Sequence, residues 1–125
     1  MDGTSFVEHR SAGVRPLESL PACPVETCVQ LMGNKWRPLI IRDLLTGPKR
    51  FGELQRSVDG VSQKVLTQNL RDMEDSGLVL RRVYPEVPPH VEYALTELGE
   101  SLGPVIATMR AWGTRYQELA RELDA

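Results

Sequence analysis

Apolar positions in residues 62–77 recur at Leu66, Leu70 and Met73, the i, i+4, i+7 spacing of one helical face. Ser62 opens this predicted helix as N-cap and Gly77 closes it. On the opposite face Lys64, Thr67, Gln68 and Arg71 follow at i, i+3, i+4 and i+7, with Gln63 beside them near the start. A solvated face is more often filled with Glu/Lys pairs, yet this stripe holds no acid. Asp72, Glu74 and Asp75 all fall in the last two turns. Gln and Thr reach base edges through hydrogen bonds and Lys and Arg reach phosphates through charge, so the stripe predicts a DNA recognition helix. An ordinary surface helix is the competing reading of the same periodicity.

The stretches around it complete a pattern. Val25, Cys28, Val29 and Met32 give a short helix over 25–32, ended by Gly33-Asn34. Trp36, Leu39, Ile40, Ile41, Leu44 and Leu45 make residues 35–46 a helix apolar on most sides, with Pro38 near its first turn and Gly47-Pro48 after its end. Phe51, Leu54 and Val58 place a third helix over 51–58, and Asp59-Gly60-Val61 has the length of the tight turn in a helix-turn-helix. After Gly77 the composition changes to that of strands at 78–84 and 90–95, around the three-proline tip Pro85-Glu86-Val87-Pro88-Pro89. Such a hairpin reads as a wing, with Arg81 and Arg82 at its base facing phosphates, or else as a plain hairpin with a proline-blunted edge.

The last stretch differs from all the others. Leu98, Leu102, Val105, Met109, Trp112, Tyr116, Leu119 and Leu123 alternate spacings of four and three, a heptad-like seam widened by Ile106, Gly113 and Ala120. These positions predict a helix over about 96–123, bent at Gly103-Pro104. So long a seam exceeds what one small domain covers, which predicts a second copy of the chain as its partner. Residues 1–22 mix Gly, Ser, Pro, His and charges and read as an arm outside the core, with Phe6, Val7, Leu17 and Leu20 available for packing. The expected organisation is an arm over 1–22 and one domain over 23–125, mainly α with a small β-hairpin wing.

Composition narrows the function. A chain of 125 residues with 41% hydrophobic and 26% charged residues suits one globular core. No apolar run approaches a membrane span, so a cytoplasmic protein without a membrane partner is expected. The net charge of −2 argues against nucleic acid until its distribution is read. Between positions 35 and 71 stand eight Lys/Arg against three acids, a local +5, which leaves −7 for the rest. No Gly-rich phosphate loop, metal-ligand cluster or Cys-x-x-Cys is present, and no nucleophile has an evident base. Neither an enzyme nor a cofactor or metal is expected.

Together these residues resemble the HxlR-type helix-turn-helix regulators of bacteria, relatives of the MarR winged-helix group. The resemblance runs from about Cys23 to Tyr116. It rests on Cys23-Pro24, Gly33-Asn34-Lys35-Trp36, Arg50-Phe51-Gly52-Glu53-Leu54, Val61-Ser62-Gln63-Lys64-Val65-Leu66-Thr67 and, most idiosyncratic, Val83-Tyr84-Pro85-Glu86-Val87-Pro88-Pro89-His90-Val91-Glu92-Tyr93. It implies a homodimer held by its N- and C-terminal helices, the latter through Leu98, Leu102, Val105, Met109, Trp112, Tyr116 and Leu119. Its two winged helices would enter successive major grooves of double-stranded DNA on a pseudo-palindromic operator, most simply as a repressor. Ser62, Gln63, Lys64, Thr67, Gln68 and Arg71 match the recognition helix, and Arg50, Arg81, Arg82 and His90 are assigned to the DNA backbone. At His90 the family more usually has Arg or Lys, so wing binding is expected to strengthen when the imidazole is protonated. Glu86 is expected to point away from phosphate.

The family includes regulators that sense electrophiles or oxidants through a Cys ahead of the first helix, the place of Cys23. Cys28, on the apolar face of that helix, reads as an inert core residue. A Cys23 bridge to Cys23 of a second copy, a Cys23–Cys28 bridge after local unwinding, alkylation alone, and a purely structural Cys23 are all open on the sequence. Two further alternatives stand beside the redox-responsive regulator: a winged helix used for protein contact, and a regulator gated by a small apolar ligand at the dimer interface, near Trp36, Trp112 and Tyr116.

Overall fold

The computed structural model describes residues 6–9 and 13–125. Helix α1 (Pro24–Met32) begins with Cys23 as N-cap and Pro24 in its first turn, where a missing N–H costs nothing, and ends at Gly33 with φ +30°. Asn34 then accepts from the backbone N–H of Trp36 (2.9 Å) and Arg37 (3.2 Å) through Oδ1 and so starts α2 (Trp36–Leu44). Ile40, Ile41 and Leu44 bury α2 in the centre of the core.

Strand β2 (Lys49–Arg50) leads directly into α3 (Phe51–Ser57), whose first turn is closed by the Arg50 N–H donating to Glu53 Oε1 at 2.8 Å. Val58 and Val61 bury the turn that follows. In α4 (Gln63–Asp75) the Ser62 hydroxyl caps the N-terminus by accepting from Val65 N at 3.2 Å. Gly77, at φ +79°, lets the chain reverse so that Leu78 N bonds Met73 O at 2.9 Å. Leu54, Leu66, Leu70 and Met73 close this helix-turn-helix over the core, each contributing about 1.5–3 kcal/mol by leaving water.

The hairpin is β3 (Val79–Tyr84) and β4 (His90–Leu95), antiparallel with Arg82 opposite Glu92 and Tyr84 opposite His90. It is the centre of a larger sheet than the sequence reading gives. Strand β1 (Val7–His9) pairs antiparallel with β3, Glu8 opposite Arg82, and β2 pairs with β4, Arg50 opposite Glu92, so the order is β1-β3-β4-β2. Both outer strands are two or three residues long, too short for a period to show.

The expected single bent helix over about 96–123 is two helices: α5 (Glu97–Glu100), capped by the Thr96 hydroxyl on Gly99 N at 3.0 Å, and α6 (Gly103–Asp124). The break has two causes. Pro104 starts a new helix, and α5 is pinned so close to Leu78, just ahead of β3, that a Cβ on Gly99 would collide with the Leu78 carbonyl oxygen.

Candidate nucleic-acid interface

Ser62, Gln63, Lys64, Thr67, Gln68 and Arg71 line one open surface on the outside of α4. All are exposed except the half-buried Thr67. The Thr67 hydroxyl spends its proton on Gln63 O at 2.8 Å, which leaves the oxygen lone pairs for a donor. Asp72, in the last turn of α4 as expected, is tied to this surface, since Gln68 Nε2 donates to Asp72 Oδ1 at 3.1 Å. Its charge is met from behind by Arg37, whose Nη2 lies 3.0 Å from Oδ2.

That arginine belongs to a buried polar network that no periodicity marks. Asn69, 4% exposed on the inner face of α4, accepts at Oδ1 from Asn34 Nδ2 (2.8 Å) and Arg37 Nε (2.9 Å) and donates from Nδ2 to Val65 O (2.8 Å). Arg37 Nη1 reaches back to Leu31 O in the last turn of α1 at 3.2 Å. The recognition helix is thus keyed to the α1–α2 junction by hydrogen bonds as well as by apolar packing. The one visible sequence signal is a polar Asn interrupting the apolar set Leu66, Leu70, Met73.

The residues assigned to the DNA backbone, on the wing and at the start of α3, separate into two groups. Arg50 is exposed at the start of α3, beside β4. Arg81 lies opposite Tyr93, where burial pushes the phenol up and the Arg81 charge pulls it the other way. Arg82 and His90 are held within the chain. Arg82 Nε lies 3.6 Å from Glu8 Oε2, and its guanidinium carbon lies 4.9 Å from the centre of the Phe6 ring. His90 stacks on Tyr84 at 4.3 Å with Nδ1 2.7 Å from Glu86 Oε1, and its side chain is 18% exposed. His90 is therefore turned toward the carboxylate expected to point away from DNA. The arm that supplies Phe6 and Glu8 is what the sequence reading left without a destination.

Cys23 is exposed at the α1 N-cap, whereas Cys28 is half-buried with its Sγ 3.8 Å from Met32 Sδ. An apolar hollow beside Cys28 is lined by Val29, Met32, Pro38, Val105 and Met109, where α1, α2 and α6 meet. Within one chain the three aromatics named for an interface ligand stand apart. Trp36 faces Gly60 in the helix-turn-helix turn, while Trp112 and Tyr116 stack on each other at 5.6 Å along α6. Of the seam, Leu102 is half-buried and Leu98, Val105, Met109, Trp112, Tyr116, Leu119 and Leu123 are exposed, Trp112 by 67%.

A three-helix core whose last helix shows an acid-poor polar face, followed by a β-hairpin and backed by basic residues, defines a winged helix-turn-helix DNA-binding protein. Residues 31–121 match the HxlR-like helix-turn-helix family, and the chain belongs to it. Among its relatives is YdeP of Bacillus subtilis (strain 168), an uncharacterized HTH-type transcriptional regulator, 41% identical over 108 residues that cover 86% of this chain and 84% of YdeP. The redox regulator HypR in its reduced form superposes with a TM-score of 0.75 at 38% identity, covering 80% of this chain and 99% of HypR. Its oxidized form gives 0.71 at 42% identity, covering 74% and 96%. The family consists of transcriptional regulators and not of enzymes, and this chain is a DNA-binding transcriptional regulator of that kind.

Proposed function

We propose that the protein acts as a homodimeric repressor on a pseudo-palindromic operator in the cytoplasm, with half-sites about 34–36 Å apart. The observation that carries this reading is the outer face of α4, where six side chains suited to bases and phosphates share one open surface. Ser62, Gln63, Thr67 and Gln68 address base edges; Lys64, Arg71, Arg50 and Arg81 address phosphates. Arg82 and His90 join them only by giving up Glu8 and Glu86. The α6 seam closes on the same seam of a second copy, with α1 alongside.

A redox response is the second part of the reading, favoured by the exposed thiol of Cys23 at the start of α1 and by the likeness to a redox regulator. Fluorescence anisotropy tests both parts, using the reduced full chain, a labelled duplex from upstream of its gene and competitor DNA, before and after diamide. Tight, salt-sensitive binding that diamide abolishes, and that Cys23→Ser protects, is the expected result. Binding that survives diamide leaves a regulator without a thiol switch and directs attention to an apolar effector in the hollow beside Cys28. Weak binding with a shallow salt dependence would replace DNA by a protein partner for the same face.

A further inference from the structure

We infer that Gln68 reads an adenine in each half-site, and that Asp72 and Arg37, which do not themselves face the groove, impose that choice. The inference rests on the operator-binding reading above. A side-chain amide on a helix surface ordinarily turns over freely and offers its oxygen or its nitrogen to whatever it meets. Gln68 lacks that freedom. Its neighbour at 3.1 Å is a carboxylate oxygen of Asp72, which accepts and does not donate, so the amide nitrogen must be the atom turned toward it.

The carboxylate is itself locked. Asp72 Oδ2 takes Arg37 Nη2 at 3.0 Å, and Arg37, only 13% exposed, is fixed by Asn69 Oδ1 at 2.9 Å and Leu31 O at 3.2 Å. With one N–H committed to Asp72, Gln68 presents outward its Oε1 acceptor beside its second N–H donor. In the major groove adenine alone matches both, with N6 as donor next to N7 as acceptor. Guanine offers two acceptors, cytosine a donor, and thymine an acceptor beside a methyl group. Asp72 and Arg37 are thus positioning residues, and they belong to the network that joins α4 to the end of α1.

Selection of bound sequences from a randomised duplex pool by the full-length wild type, Gln68→Ala and Asp72→Asn tests this, with thermal melting to check each fold. The wild type should enrich an adenine at one symmetry-related position per half-site, and 7-deazaadenine there, which lacks the N7 acceptor, should weaken binding about 10-fold. Gln68→Ala, at an exposed position, should lose that preference and the 7-deaza effect while the other positions stay unchanged. In Asp72→Asn the new amide keeps its oxygen on Arg37 and turns an N–H to Gln68, so the Gln68 amide turns over and the adenine preference is lost at that position alone. A 7-deaza effect equal in wild type and Gln68→Ala, or a selected operator with no adenine dependence, overturns the assignment and leaves the operator reading intact. An Asp72→Asn protein that folds and keeps the wild-type preference overturns the positioning role. A wild type that enriches no sequence refutes operator binding itself, and the assignment with it.

Discussion

Helices α4 and α6 are both amphipathic, and they stand in opposite situations. The inner face of α4 is finished by its own domain: Leu66, Leu70 and Met73 are no more than 1% exposed, and Asn69 is matched by Asn34 and Arg37. Its polar face is open and carries groups that can meet DNA. In α6, 22 residues long, only Ile106 is buried, and the aromatic pair Trp112 and Tyr116 lies 67% and 62% exposed. The contrast teaches that the same periodicity serves two ends. On α4 the apolar stripe is spent inside one chain, and the function sits on the other side; on α6 the stripe itself is the unfinished surface.

The comparison is broken most severely on the inside of α4. Leu70→Ala should lower stability by about 2–5 kcal/mol in urea unfolding, because the space among Ile40, Leu54 and Met73 does not collapse freely. Asn69→Ala should cost about 1–3 kcal/mol, since it takes the acceptor from Arg37 Nε, on a side chain only 13% exposed, and breaks the bond to Asn34 Nδ2. The corresponding truncation on α6, Trp112→Ala, should weaken self-association at least tenfold by analytical ultracentrifugation while a monomer at high dilution melts as before. Should Trp112→Ala instead lower the melting temperature of the dilute monomer, α6 would be finished inside its own chain and the contrast would fail. On the polar face, Lys64→Ala should leave stability within about 0.5 kcal/mol and reduce the slope of log affinity against log salt by about 1.

The smallest effect concerns pH. Burial works to raise the Asp43 carboxyl, but hydrogen bonds from Arg42 at 2.7 Å and Ser57 at 2.6 Å, with the charges of Arg42 and Lys49, hold it below its ordinary 3.8. A carboxyl lowered by folding contributes stability that is present above its unfolded value and lost as pH falls through the folded one. Asp43→Asn should therefore lower stability at neutral pH by less than about 1 kcal/mol, leave it unchanged at the acid end, and so flatten the decline on acidification below about pH 4.

Much of the architecture was written locally. Ser62, Gly77 and the spacing of Leu66, Leu70 and Met73 act within a turn or two of the chain, and the helix they predict is the helix observed, Gln63–Asp75 between its caps. The hairpin followed likewise from β-rich runs around a proline tip. The arm's place on β3 did not, because three residues of strand carry no period and Phe6 finds Tyr84 and Arg82 only once the sheet exists. The break between α5 and α6 was half visible: Gly103-Pro104 marked a disturbance, but the approach of Gly99 to Leu78 depends on two elements meeting.

What the sequence determined by itself is the helix-turn-helix, the wing and the polar character of the recognition face, since caps, turns and periodicity are short-range properties of neighbouring residues. Only the tertiary structure decided which of those polar groups are free to face outward. Arg82 went to Glu8, and the aspartate beside Gln68 was held from 35 positions away by Arg37. A hydrogen bond is satisfied by whatever donor or acceptor folding brings within about 3 Å, and separation along the chain does not enter that distance.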